Sequence, residues 1–209
     1  MLVRNYMASD VVTLSPDQTC QEALQELRRC KVRRAPVVLN NKLVGIVSER
    51  DLLRVLPGTC AQASTLAGEA GMDLPLRDIM RTAVITLSPN DNLKQAASIM
   101  LRHRIGGVPV VQGGRLRGII TESDIFKAFY EILTSPRGRV ILFEEPAQLA
   151  AAQHDYVKVC LEYDCRVHTV LKYPTSSGST MYYLCIEGEN IDAFVGKLRA
   201  MSNQLMLVE

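Results

Sequence analysis

Gly45-Ile46-Val47-Ser48-Glu49-Arg50-Asp51 returns 73 residues later as Gly118-Ile119-Ile120-Thr121-Glu122-Ser123-Asp124. In each copy an apolar β-favouring run leads into a Ser or Thr three residues ahead of an Asp. That is the signature of a strand handing over to a capped helix. Working outward at the same offset, the chain matches itself without a gap. Met7 falls on Met80, Val11 on Val84 and Thr13-Leu14-Ser15-Pro16 on Thr86-Leu87-Ser88-Pro89. Pro36-Val37-Val38 falls on Pro109-Val110-Val111, and Leu43 on Leu116. Two copies, at a period longer than that of the usual solenoid repeats, argue for a paired module with pseudo-twofold symmetry.

Within a repeat the residues predict the order β-α-β-β-α. Val11-Val12-Thr13-Leu14 reads as a short strand. Ser15-Pro16 then starts a helix, with Ser as N-cap, Pro at the first helical position and Gln18 completing a capping box. Ala23, Leu24 and Leu27 form its apolar face. Pro36-Val37-Val38-Leu39 reads as a buried strand. Asn40-Asn41 makes the turn, because Asn tolerates positive φ, and Gly113-Gly114 stands there in the second copy. Leu43 to Val47 is the return strand, and Ser48 begins a second helix through Leu56.

This pattern of strand, Ser-Pro helix, x-Pro-Val-Val strand and Gly-h-h-[Ser/Thr]-x-x-Asp resembles the CBS domain family. The resemblance covers residues 1–60 as a first repeat and 77–133 as a second, with 61–76 as a linker or insert. It implies a regulatory site for an adenosine-type nucleotide (AMP, ADP, ATP or S-adenosylmethionine) between the repeats, with no other cofactor. It gives Asp51 and Asp124 the ribose hydroxyls. Ser48 and Thr121 would donate to ribose or phosphate, helped by the positive end of the helix each starts. The backbone around Val11 and Val84 would hold the adenine. The turns through Ala35-Pro36 and Gly107-Val108-Pro109 would close the pocket. Ser48 with Asp51, and Thr121 with Asp124, are also helix caps; both roles can hold, since they use different lone pairs.

The two copies differ in charge. Arg28, Arg29, Lys31, Arg33 and Arg34 precede Pro36, whereas the second repeat has Arg102, His103 and Arg104 and then Gly106-Gly107 where the first has Arg33-Arg34. With the ligand between the repeats, as the resemblance implies, a polyphosphate could use basic groups from both. Ser123 replaces Arg50. Guanidinium forks suit phosphate oxygens, so Arg33, Arg34 and Arg50 are candidates for a phosphate grip at the first site. They also read as cations complementing a helix C-terminus or lying on a solvated face. The stretch from Pro57 to Leu74 breaks the repeat with small and turn-forming residues.

After Thr134-Ser135-Pro136-Arg137-Gly138 the pattern changes. Strands at 139–143, 166–173, 180–186 and 205–208, with helices at 146–163 and 190–201, give β-α-β-β-α-β, the ferredoxin-like split unit. Asn190 is the expected N-cap of the last helix. Residues 139–209 resemble an ACT-like domain. A CBS pair followed by such a domain, at this length, is similar to the AcuB-type acetoin-utilisation proteins. Amino-acid-binding ACT domains carry a Gly in the turn after the first strand, and Glu144-Glu145-Pro146 stands here. That departure favours pairing of sheets between two chains over amino-acid binding. The fold class is thus mixed α+β / α/β, and the resemblance implies a homodimer, with a regulated protein partner as a further possibility.

Composition sets outer limits. The chain has 209 residues, a net charge of +2 and 22% charged residues, which gives no global reason to expect nucleic acid or an anionic membrane. No apolar run approaches the ~18 residues of a membrane span. The first ten residues have no signal-peptide core, and six cysteines without a Cys-x-x-Cys pair read as reduced cytoplasmic thiols. His154, Cys160, Cys165 and His168 match no structural zinc spacing and divide between a helix, a turn and a strand, so no metal is expected. Phosphate-loop and nucleophile-elbow motifs are missing, and no catalytic residue is assigned. The expectation is a regulatory sensor. The alternatives are a dimeric adaptor with a vestigial pocket and an enzyme of acetoin metabolism.

Overall fold

The computed structural model describes residues 1–56, 73–135, 137–146, 155–201 and, as backbone, 204–208. They divide into two compact units, Met1–Phe126 and Lys127–Glu209.

The first unit holds the repeats. The first repeat supplies α1 (Cys20–Arg29), β1 (Arg34–Leu39), β2 (Lys42–Ser48) and α2 (Glu49–Val55). The second supplies α3 (Leu93–His103), β3 (Gly107–Gln112), β4 (Arg115–Thr121) and the start of α4 (Glu122–Leu133). Both hairpins are antiparallel with equivalent register: Arg34 faces Ser48, and Gly107 faces Thr121. The pair Lys42 and Arg115 joins them into one sheet of order β1-β2-β4-β3. Both hairpin turns use left-handed backbone as expected, with φ of 51° and 61° at Asn40 and Asn41 and 59° and 75° at Gly113 and Gly114.

Two expectations need correction. Residues 11–14 and 84–87 are not strands; each makes one parallel bridge, Leu14 to Val37 and Leu87 to Val110. The first helix also starts later than Ser15-Pro16 predicts. Gln18 Oε1 accepts from Ser15 N at 2.7 Å, but this closes an isolated turn. The N-cap is Thr19, whose Oγ1 accepts from Glu22 N at 3.2 Å while Glu22 Oε2 accepts from Thr19 N at 2.9 Å. Helix cannot begin earlier because the carbonyls of Pro16 and Gln18 are taken by Arg77 N and Leu76 N, at 3.0 and 2.9 Å. In α3 the cap is Asn92.

Those bonds belong to an exchange between the repeats. The lead-in to the second repeat, including Leu74 and Leu76 from the stretch expected to be linker, docks on the first. Leu76 is fully buried in the first repeat's core with Leu14, Leu27, Val37 and Leu52. Arg81 bridges Ile46 through two 3.0 Å backbone bonds, and Ala8 bridges Ile119 in the same way at 2.9 and 3.0 Å. Gly45 and Gly118 permit this approach. A Cβ on Gly118 would stand 2.7 Å from the Ala8 carbonyl oxygen.

The second unit adds β5 (Arg139–Glu145), α5 (Tyr156–Glu162), β6 (Arg166–Pro174), β7 (Thr180–Glu187), α6 (Ile191–Ala200) and β8 (Gln204–Val208). All pairings are antiparallel, in the order β6-β7-β5-β8. The expected helix from Pro146 lies partly outside the described residues, and its described part begins after the cap Asp155. Asn190 precedes α6 but makes no side-chain cap bond. Glu144 and Glu145, expected in a turn, continue β5, because Glu144 pairs with Met181 and Glu145 with Thr180. Glu145 is buried and accepts a 2.7 Å bond from Tyr156 Oη, beside the stacked rings of Phe143 and Tyr182. Cys160 and Cys165 are buried in this core as small apolar groups. Burial pushes the Cys160 thiol up to about 12. His168 pairs with Glu187 at 3.0 Å, and His154 lies outside the described residues.

Candidate functional site

The repeated heptapeptide puts a return strand, a cap and a helix in immediate succession. In the first repeat this produces a cavity of about 600 Å³, within the range that holds small ligands. One wall is the end of β2 and the start of α2, from Ile46 to Asp51. A second is the approach to β1, Arg33 and Arg34. The third comes from the second repeat: Ala83-Val84-Ile85 of its lead-in, then Ile105, Gly107 and Pro109 at the approach to β3.

Asp51 divides its carboxylate between two tasks. Oδ2 accepts from Ser48 N at 3.1 Å and Ser48 Oγ at 2.5 Å, completing the cap. Oδ1 faces Arg81 at 3.6 Å and Arg54 at 3.9 Å. At these separations, with both guanidinium groups largely exposed, the pairs are loose. One carboxylate oxygen therefore remains available to an incoming donor. Six arginines line the cavity among the described residues: Arg33, Arg34, Arg50, Arg54, Arg81 and Arg104. Burial lowers the pKa of Arg34, the neighbouring charge of Glu122 raises it, Arg33 lowers it and Asp51 raises it.

Of the expected site residues, Arg33, Arg34, Ser48, Arg50, Asp51, Val84, Gly107 and Pro109 line this one cavity. Val11, Ala35, Pro36, Val108, Thr121 and Asp124 do not. Ala35 and Val108 turn into the core. Pro36 uses its carbonyl on Leu14 N at 3.0 Å. Asp124 accepts from Thr121 N at 2.8 Å and Thr121 Oγ1 at 2.6 Å, so the second cap forms as the first does. The equivalent space at the second cap is crowded by Arg34. Its Nη2 would lie 2.7 Å from a Cβ on Gly106, and its Cδ 3.1 Å from one on Gly107. The side chain of the first repeat thus occupies what the glycines of the second leave open.

Sequence reasoning gave no site role to Glu49, Arg54, Arg81, Ala83, Ile85 or Ile105, and placed His103 and Arg104 only in the basic run of the second repeat. Signals for two of them were present. Arg54 follows Asp51 by three residues, on the same helix face. Arg81 stands where the repeat register has Ala8. Arg104 has a left-handed φ of 52°, matching 54° at Lys31 in the same register.

The CBS domain model matches residues 3–58 and 76–131. The chain belongs to the CBS domain family. Among solved structures, this CBS pair is similar to a Vibrio cholerae protein named for acetoin utilization (AcuB), with 33% identity, a TM-score of 0.55, and 65% of this chain and 98% of that one covered. It is similar to the CBS domain pair of protein MJ0100 in complex with 5′-methylthioadenosine and S-adenosyl-L-methionine, with 26% identity, a TM-score of 0.53, and 63% and 97% covered. It is also similar to CBSX2 in complex with AMP, with 27% identity, a TM-score of 0.54, and 63% and 97% covered. The chain spans only 47% and 23% of the length of two curated relatives that match it over about 60% of its own. No described helix is long and apolar enough to cross a membrane.

Proposed function

We propose that the protein is a regulatory sensor that takes an adenosine-type nucleotide into the cavity of its first unit. The observation that carries this reading is the convergence of Ser48, Asp51, Val84 and Arg33-Arg34 on one cavity of about 600 Å³. The CBS pairs solved with AMP, and with S-adenosyl-L-methionine and methylthioadenosine, support it. In this reading Asp51 Oδ1 accepts from the ribose hydroxyls. The segment Ala83-Val84-Ile85 and Ile105 flank the base, and the arginines meet phosphate. Residues 139–209 act as an ACT-like domain that reads the change or docks a partner. The β-α-β-β-α-β order and the sheet order β6-β7-β5-β8 support that part. The protein works as a cytoplasmic homodimer, a state supported by the exposed Phe126, Phe129 and Tyr130 of α4.

Signalling requires that the ligand bind two conformations with different affinity. The test is calorimetric titration of the full chain with AMP, ADP, ATP and S-adenosylmethionine, beside Asp51→Ala and Asp124→Ala. Asp51→Ala is expected to lose about 1.5–3 kcal/mol of binding, roughly ten- to hundredfold. Asp124→Ala is expected to bind nearly as the native protein does. Equal binding by the native protein and Asp51→Ala would remove Asp51 from the site. Folded, ligand-free protein that binds none of the four compounds would turn the reading toward an adaptor.

A further inference from the structure

Resting on the nucleotide reading of this cavity, we infer that its ligand is a nucleoside with two or more phosphates, held without a divalent metal. Six guanidinium groups and two carboxylates, Glu49 and Asp51, line the cavity among the described residues. Arg34 reaches toward Gly106 beside Glu122 and is set apart, which leaves three positive charges in excess before His103 is considered. Arg33, Arg50 and Arg104 have no carboxylate within 4 Å among the described residues, so their charge is free for a ligand. A single phosphate brings only about −1.5 to −2, and a sulfonium ligand such as S-adenosylmethionine brings positive charge of its own. A chain of two or three phosphates matches the excess and offers acceptor oxygens enough for several guanidinium forks.

The same residues argue against a metal travelling with the phosphates. Magnesium bound to nucleotide is ordinarily met by one or two carboxylates from the protein. Both carboxylates here are committed. Glu49 Oε1 faces Arg28 Nε at 3.3 Å. Asp51 gives Oδ2 to its cap, and in the nucleotide reading its Oδ1 is taken by the ribose hydroxyls. A hydrated dication in this cavity would be repelled by the arginines around it and would neutralise part of the phosphate charge that those arginines attract. The guanidinium groups take the place the metal fills elsewhere.

The asymmetry of the repeats makes this a property of one cavity. At the second cap the register puts Gly106, Gly107, Ser123 and Ala8 where the first site has Arg33, Arg34, Arg50 and Arg81.

The test titrates the full chain with adenosine, AMP, ADP and ATP, each in EDTA and again in excess magnesium, beside the variant Arg33→Gln/Arg50→Gln. Both side chains are exposed, and circular dichroism checks that the variant folds. In EDTA, ATP is expected to bind at least about tenfold tighter than AMP. Excess magnesium is expected to weaken ATP several-fold and leave AMP nearly unchanged. The double variant is expected to lose most of the advantage of ATP over AMP. AMP binding as tightly as ATP in EDTA would overturn the polyphosphate assignment while the nucleotide reading stands. ATP binding that magnesium strengthens or leaves unchanged would overturn the metal-free assignment. No binding by any of the four compounds would instead defeat the nucleotide reading itself.

Discussion

The two repeats share a backbone and differ in what they put on it. Both have a left-handed two-residue turn, a register shift in the hairpin and a Ser or Thr cap answered by an Asp three residues on. Both accept the other's lead-in against a glycine. Among the side chains that break the symmetry are Arg33, Arg34, Arg50 and Arg81, and these line one cavity. Symmetry is thus held by residues that solve backbone problems, the Ser48–Asp51 cap among them, while the charge that sets the first cavity apart comes from arginine side chains whose register partners are Gly, Ser or Ala. A duplicated module keeps its fold while one copy is retuned, because the two tasks fall on different positions.

The largest test of that division is at the glycines. A Cβ on Gly118 meets a backbone atom, Ala8 O, at 2.7 Å, and Met7 Sδ at 2.8 Å. On Gly45 the close atoms are Sδ and Cγ of Met80, at 2.6 and 2.9 Å, and the backbone atom Arg81 O is farther off at 3.2 Å. A methionine side chain can swing aside; a paired carbonyl cannot. Gly118→Ala is therefore expected to cost about 2–3 kcal/mol, and Gly45→Ala about 1 kcal/mol. Urea unfolding of the two variants measures the difference. Equal costs would mean that the two cross-repeat bridges yield alike and that the repeats are more symmetric than their contacts suggest.

A smaller contrast lies at the caps. Thr19 has the reciprocal box with Glu22, whereas Asn92 accepts from Gln95 N at 2.8 Å without one. Thr19→Ala is expected to lose about 1–1.5 kcal/mol and Asn92→Ala about 1 kcal/mol. A loss at Asn92 larger than that at Thr19 would show that the box adds nothing here.

Much of this was legible in the residues. The heptapeptide and its repeat located the hairpins, their turns and the Ser48 and Thr121 caps. The runs 166–173 and 180–186 were read as paired strands, and they pair as β6 and β7 of the second unit. What escaped has one cause: local signals were read without their non-local competitors. Ser15-Pro16-x-Gln18 has every mark of a helix start, yet the carbonyls at 16 and 18 bond a segment about 60 residues away. Val11 to Leu14 has strand propensity but only one partner bridge. Asp124 matches Asp51 in sequence, but the space beside its cap depends on Arg34, a residue of the other repeat. Arg81 was hidden because it lies in the lead-in of one repeat and serves the cavity of the other.

The smallest expected effect sharpens the comparison at the turns. Asn40-Asn41 and Gly113-Gly114 have nearly the same left-handed backbone. Replacing Asn40-Asn41 by Gly-Gly relieves the modest cost of holding Asn at positive φ. It also frees the unfolded chain, which costs about 0.4–1 kcal/mol per position. The terms oppose, so the swap is expected to move stability by no more than about 1 kcal/mol, and the reverse swap at Gly113-Gly114 by a similar amount with opposite sign. Matched urea curves on both variants read this directly. A cost well above that in the first repeat alone would mean that the Asn side chains do more than set φ. The shallow polar hollow they border with Thr13, Ser15 and Gln18 would then be a second place where the first repeat has been retuned and the second has not.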